Sequence, residues 1–251
     1  MRKMILLRGC SGKMGRIVSE LLSGREDAEV VAGVDIVADP CLGYPVYSSL
    51  DDFDGDADVV VDFSFPDGLD ELLEYCARRK FPLLAAATGY SSKQEAAIAR
   101  VAEGIPIFRS ENLSVGISVL AKLAAFAAST LGEGYNVEII ERHHKRKLDA
   151  PSGTAKLLYK TVQAALPYQP EPVYDRQKRR EKRPEHEIGI HSIRGGTIVG
   201  DHDVIFAGTG EVITISHSAE SREVFAAGAI RAALFLAGKP APGMYGMKDI
   251  L

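Results

Sequence analysis

The feature that most constrains the fold is a run of glycines near the start of the chain, Gly9-Cys10-Ser11-Gly12-Lys13-Met14-Gly15. It follows Met4 to Arg8, a short apolar segment that reads as a buried strand. It opens Met14 to Leu22, whose apolar residues recur with helical spacing. A strand that turns on glycines into a helix leaves the first helical N–H groups free to meet an anion. Glycine also lets a ligand come close to the backbone. A second apolar strand, Val30 to Asp35, ends in an acid about 20 residues beyond the last glycine. A dinucleotide fold keeps its ribose-binding carboxylate there. The competing reading is an ordinary strand-to-helix turn followed by a surface aspartate.

The alternation continues. Asp58 to Asp62, Pro82 to Ala87 and Ile105 to Phe108 read as strands, and Asp67 to Arg79 and Ser91 to Ala102 as helices. Strands and helices in strict alternation describe a parallel sheet covered on both faces. Ligands of such sheets lie outside the carboxyl ends of the strands. Asp62-Phe63-Ser64 and Ala86-Ala87-Thr88-Gly89 fall there, and the small residues of the second leave room for a flat ring.

The pattern changes near residue 113. A long apolar helix is expected from Val115 to Thr130. Segments of alternating polarity follow at Asn136 to Glu141, Glu187 to Ile193, Val204 to Ala207 and Glu211 to His217. They read as a mixed or antiparallel sheet with one covered face. A last apolar helix is expected from Phe225 to Leu236.

Composition excludes several classes. The chain has 251 residues, 46% hydrophobic and 25% charged, with a formal net charge of −4. Those are the values of an ordinary globular protein, with no overall attraction for nucleic acid or anionic membrane. No apolar run approaches the ~20 residues of a membrane span. The basic run from Arg176 to Arg183 is read as a solvated loop, since no aromatics are interleaved and acids flank it. The three cysteines, Cys10, Cys41 and Cys76, fit no metal or redox spacing. They read as buried or half-buried thiols of a reducing compartment, which points to the cytoplasm.

The densest chemistry lies from Glu141 to Ala155. His143 and His144, with Lys145, Arg146 and Lys147, follow a strand, and Pro151-Ser152-Gly153-Thr154 leads into a helix. Like charges packed together destabilise one another unless an anion sits among them. The amides of Gly153 and Thr154, at the start of a helix, suit a carboxylate. A solvated basic loop is the plain alternative. A metal site is disfavoured, because adjacent histidines on a strand point to opposite faces and no cysteine accompanies them.

The stretch from Glu138 to Ala155, with its His143-His144, Lys147 and Ser152-Gly153-Thr154, resembles the 4-hydroxy-tetrahydrodipicolinate reductase (dihydrodipicolinate reductase) family of lysine biosynthesis through diaminopimelate. The loop Gly9 to Arg16, Asp62-Phe63-Ser64, Asn112 to Gly116, Ile190 to Gly196 and the C-terminal Met247 to Leu251 share the resemblance. It implies that His143 is the catalytic acid/base and Lys147 the proton donor. It implies that His144 binds substrate and that Gly153 with Thr154 holds a substrate carboxylate. NADH or NADPH would lie on Gly9, Cys10, Ser11, Gly12, Lys13 and Met14, with Asp35 on the ribose. Ala86, Ala87 and Thr88 would face the nicotinamide, and Ser110, Glu111, Asn112 and Leu113 would form a hinge touching the cofactor. The chain departs from the family at Ala86-Ala87, where Gly-Thr is usual, at Leu113, where an aromatic is common, and at Glu111.

The expected architecture is α/β. Residues 1–113 with 223–251 form a Rossmann-like dinucleotide-binding domain, and residues 114–222 an α+β domain with a mixed sheet. The resemblance makes the second domain the seat of substrate binding and of a homotetramer. The expected partner is a small cyclic dicarboxylate, with no nucleic acid, membrane or metal. Asp35, followed by uncharged Ile36 and Val37, implies that NADH serves at least as well as NADPH. Two other readings remain: an NAD-dependent amino-acid dehydrogenase of similar build, and a non-catalytic dinucleotide sensor, which has no need of the His143 to Thr154 cluster.

Overall fold

The computed structural model describes residues 1–37, 40–238 and 241–251. The first part of the chain carries β1 (Lys3–Arg8), α1 (Lys13–Ser23), β2 (Ala28–Val34), β3 (Val46–Tyr47) and β4 (Val59–Asp62). Next come α2 (Leu69–Arg79), β5 (Leu83–Ala85), α3 (Ser92–Val101), β6 (Pro106–Arg109) and α4 (Val115–Leu131). Then follow β7 (Asn136–His143), α5 (Gly153–Ala165), β8 (Glu171–Val173), β9 (Glu187–Arg194) and β10 (Gly200–Ala207). The last elements are β11 (Val212–Ala219), α6 (Glu223–Ala237) and β12 (Gly243–Tyr245). The chain divides into two compact units, Met1–Ser114 with Arg222–Leu251, and Val115–Ser221.

The first unit is built on a seven-stranded sheet in the order β12-β6-β5-β4-β1-β2-β3, with every pairing parallel. Along a strand, successive side chains point to opposite faces. Ile5, Leu6 and Leu7 are all buried, as are Val59, Val60 and Val61, so both faces are covered. Leu6, Val60, Leu83 and Ile107 pack with Leu69, Leu72 and Ile98 from α2 and α3. Helix α6 packs across β4, β5 and β6 and against α1. Helix α3 starts on a capping box: Gln94 N–H donates to Ser91 Oγ, and Ser91 N–H donates back to Gln94 Oε1.

The second unit carries a five-stranded mixed sheet, β11-β10-β7-β9-β8. Strands β11, β10 and β7 run antiparallel, while β7-β9 and β9-β8 are parallel. One face packs Val137, Ile139, Ile188, Ile190, Val204 and Phe206 against α4 and α5. The small residues Ala124 and Ala128 of α4 and Ala155 of α5 lie in this core and let the two helices approach.

Several expectations need correction. The 20 residues Val115–Gly134 reach a mean hydropathy of 1.6 with 22% of that window buried, so by length and composition this helix is apolar enough to cross a membrane. This departs from the expectation that no apolar run approaches the length of a membrane span; Ile117, Leu120, Ala124 and Ala128 of the helix pack in the core of the second unit. The basic run leaves Gln177, Lys178, Arg180, Glu181 and Lys182 exposed, as a solvated loop does, but its other three residues are paired. Arg176 pairs with the buried Glu187, Arg179 with Glu171 at 3.0 Å, and Arg183 with Glu138 at 3.1 Å, which ties the segment to the edge of the mixed sheet. Cys41 is exposed, whereas Cys10 and Cys76 are buried. Strands β3, β8 and β12 are two or three residues long, too short to carry a periodic signal.

Candidate active site

Gly9 sits at φ +77, a backbone that side chains rarely adopt, and a Cβ there would stand 2.8 Å from the carbonyl carbon of Phe63. The loop after β1 therefore runs against the loop after β4 through glycine alone. A Cβ at Gly15 would meet Gly9 O at 2.3 Å, so α1 also starts against the loop. The result is a cleft of about 810 Å³ lined by Gly9, Ser11, Gly12, Lys13, Met14 and Asp35, with Arg8, Arg16 and Phe63 to Phe65. Helix α1 begins at Lys13, and the first N–H groups of a helix have no acceptor within it.

The Asp35 carboxylate is already aimed. Oδ2 accepts Ser11 N–H at 3.0 Å, and Oδ1 accepts Val37 N–H at 3.2 Å. Ile36 and Val37 beside it are exposed and uncharged. A glycine cradle that a Cβ would fill, a helix start and an oriented carboxylate fit a dinucleotide's pyrophosphate and ribose. Cys10 is the exception among the loop residues. Its side chain is buried and a Cβ on Gly33 would lie 2.5 Å from its Sγ, so only its backbone faces the loop.

The remaining predicted cofactor residues lie outside that lining. Ala86 N–H donates to Asp62 O at 3.0 Å, while Ala87 O accepts from Arg109 at 3.3 Å and Thr88 is exposed. Arg109 also pairs with Glu95 at 2.8 Å and stacks 4.8 Å over the Tyr90 ring, which fixes this turn. Ser110 Oγ donates to Asn112 O, and Asn112 Oδ1 accepts Ser114 N–H at 2.8 Å. Glu111 is exposed and Leu113 is buried. Sequence reasoning missed Arg8, which donates to Asp62 at 3.3 Å and to Ser64 Oγ at 2.7 Å at the cleft wall.

In the second unit, β7 continues two residues past the expected end, to His143. Its strand parity puts Glu141 and His143 on the covered face, where both are buried. His143 Nδ1 donates to Glu141 Oε2 at 2.6 Å. Arg194 grips both oxygens of Glu141 at 2.7 Å, and Ser152 N–H donates to Oε1 at 3.1 Å. Burial alone would push the Glu141 carboxyl up, but hydrogen bonds from His143, Arg194 and Ser192 outweigh it and hold it below the ordinary carboxylate range.

Ser152 caps α5: its Oγ accepts Ala155 N–H at 3.1 Å and contacts His202 Nε2 at 3.2 Å. Gly153 and Thr154 thus form the first turn of a capped 13-residue helix, and no atom lies within 4 Å of where a Cβ on Gly153 would be. Lys147 Nζ lies 2.9 Å from Asp149 Oδ1 and is partly exposed. Lys145 and Arg146 point to solvent. Nδ1 of His144 is buried without a hydrogen-bond partner among the described residues. His143 and the head of α5 are therefore joined through one carboxylate, with Lys147 on the connecting loop. Among the described residues, no group of His, Cys, Asp or Glu has a metal-binding arrangement.

A dinucleotide cleft on a parallel sheet, with a basic loop and a capped helix start in a second unit, fits a dinucleotide-dependent oxidoreductase. Residues 3–113 match the family described as dihydrodipicolinate reductase, N-terminus, and residues 116–251 its C-terminus. The chain belongs to this family. It is 49% identical over 247 residues to the 4-hydroxy-tetrahydrodipicolinate reductase of Caldanaerobacter subterraneus, covering 98% of this chain and 97% of the relative. The reductase of Clostridium tetani is 47% identical, with 98% and 96% covered. A solved dipicolinate-bound dihydrodipicolinate reductase from Paenisporosarcina sp. TG-14 has the same fold, with a TM-score of 0.82, 24% identity and both chains fully covered. The chain is thus an NAD(P)H-dependent oxidoreductase that reduces 4-hydroxy-tetrahydrodipicolinate. The amino-acid dehydrogenase reading is not favoured.

Proposed function

We propose that the chemistry runs on His143 and Lys147, with the substrate held by His144, Gly153 and Thr154. Bound NADH or NADPH supplies the hydride. Loss of the 4-hydroxyl as water, together with a hydrogen from the adjacent ring carbon, leaves a conjugated C=C–C=N system; the hydride adds to the carbon that bore the hydroxyl, and one proton taken up at the neighbouring carbon restores the C=N bond. Lys147, cationic and partly exposed, is suited to give that proton. The ring of His143 exchanges protons through the nitrogen that Glu141 leaves free. One substrate carboxylate lies on the Gly153 and Thr154 amides, where the helix start favours an anion, and the other meets the cationic loop. The dipicolinate bound by the Paenisporosarcina relative supports a ring dicarboxylate as the ligand class.

The observation that carries this reading is the link from His143 through Glu141 to Ser152, at 2.6 and 3.1 Å, which sets a buried histidine beside the head of a helix. The test is a coupled assay with freshly generated 4-hydroxy-tetrahydrodipicolinate, following the loss of NADH. Turnover in the parent protein that disappears in both Lys147→Ala and His143→Ala is expected. Near-normal kcat in both variants would remove these residues from the chemistry.

On the cofactor side, we infer that Gly9 to Met14 hold the pyrophosphate, Asp35 the ribose, Ala86 to Thr88 the nicotinamide side, and Ser110 to Leu113 the segment that leads out of the first unit. We also propose a cytoplasmic homotetramer. Ile140, Ile193, Ile205 and Val212 share the face of the mixed sheet opposite its helices, and Ile193 and Val212 are 47% and 63% exposed. Apolar residues gathered on one uncovered face support association of like subunits. Light scattering that returned the mass of one chain would count against it.

A further inference from the structure

Glu141 is 0% exposed, so it cannot touch a substrate, yet donors from His143, Ser152 and both terminal nitrogens of Arg194 converge on it. A carboxylate offers about four lone-pair sites, and all of them are used. A buried carboxylate stays ionised only when it is paired and hydrogen-bonded to this degree.

Two consequences follow. An ionised acceptor 2.6 Å from Nδ1 requires Nδ1 to carry a hydrogen, so of the two neutral tautomers it selects the one with a bare Nε2. Nε2 faces the backbone of Gly200, where a Cβ would lie 3.1 Å away, so a glycine keeps the space beside it open. The other carboxylate oxygen fixes the amide of Ser152, the residue that caps α5. Arg194 braces both oxygens and also donates to Asp149 O at 2.5 Å, at the end of the cationic loop. The groups facing His143 are therefore Glu141 on its own strand, Arg194 from β9, His202 and Gly200 from β10, and Ser152 from the head of α5.

We propose that Glu141 is a positioning residue that holds the proton-exchanging nitrogen of His143 and the anion-binding amides at the head of α5 in one fixed relation. This rests on the roles given above to His143, Gly153 and Thr154. A purely structural ion pair would lower stability when broken, without changing the tautomer of His143 or separating the two KM values.

The test joins histidine-selective ¹⁵N NMR of the full chain with steady-state kinetics on 4-hydroxy-tetrahydrodipicolinate and NADH. In the parent protein the neutral ring of His143 is expected as the tautomer with hydrogen on Nδ1 and a bare Nε2. The opposite tautomer overturns the proposal with no variant needed. In Glu141→Gln the Nδ1–H signal is expected to be lost and kcat to fall by about 10²-fold or more. KM for the dicarboxylate should rise while KM for NADH does not change. Should that variant fail to fold, Arg194→Lys, which loosens the same clamp and keeps the charge, is expected to raise KM for the dicarboxylate alone.

His143→Gln separates the two levels of the argument. If it retains normal kcat, the role of His143 is wrong. If it is inactive while Glu141→Gln has normal kcat and KM, the proposal alone is overturned. The effects of the two substitutions are expected to be non-additive, because one acts through the other.

Discussion

The imidazole of His202 meets that of His143 edge-on, with ring centroids 5.2 Å apart and planes at 75°. Burial, and then the neighbouring His143, push His202 down to about 4 from its ordinary 6.5. Between those values an unfolded chain binds a proton that the folded chain refuses. Stability is therefore full above pH 6.5 and falls as the pH drops toward 4, by on the order of 3 kcal/mol. His217, also lowered by burial, acts in the same direction. Glu141 adds its own loss only below its ordinary 4.5. Thermal unfolding between pH 7 and 5 should show the fall, and His202→Gln should flatten it. An unchanged slope in that variant would contradict the assignment.

Lys147 is held by Asp149 at 2.9 Å. Burial pushes the Asp149 carboxyl up, but the hydrogen bond and charge of Lys147 outweigh it and keep it lowered. The contact fixes the Lys147 ammonium on the loop that leads to α5. Lys147→Ala and His143→Ala are each expected to cut kcat by ~10²–10⁴-fold, the reach of general acid–base groups. Asp149→Asn leaves the lysine charged and is expected to cost far less. Single-turnover rates with preformed substrate check the ordering.

The oriented Asp35 carboxylate predicts cofactor preference. It accepts hydrogen bonds from ribose hydroxyls and repels a 2′-phosphate, and Ile36 and Val37 supply no opposing cation. NADH is expected to serve at least as well as NADPH in kcat/KM. Lys13 and Arg16 line the same cleft and soften the repulsion. A preference for NADPH above about tenfold, worth roughly 1.4 kcal/mol, would show that these cations prevail.

Gly9→Ala combines a strained backbone with a contact of 2.8 Å to the Phe63 carbonyl carbon. Such a site costs about 1–3 kcal/mol in stability. The loop must also move off the loop after β4, so KM for NADH should rise more than KM for the dicarboxylate. Equal changes in both would mean that the loop does not shape the dinucleotide cleft.

Much of this protein is legible in local sequence. The glycine loop, the alternation of apolar strands with helices and the Ser91 and Ser152 caps each depend on a few adjacent residues. The same is true of the acid that ends β2. The pairing of Arg176, Arg179 and Arg183 was not legible, because their partners Glu187, Glu171 and Glu138 come from strands distant in sequence. Cys10 reads as a buried thiol, but that its burial rests on the absence of a side chain at Gly33 does not show in local sequence.

The sequence by itself determined the two kinds of sheet and named His143, Lys147 and the Ser152-Gly153-Thr154 turn, since periodicity and motif need only neighbours along the chain. Only the tertiary structure decided what Glu141 does. Its hydrogen bonds draw on its own strand, on β9 fifty-three residues away and on the head of α5, and a buried charge is set by whatever the fold gathers around it.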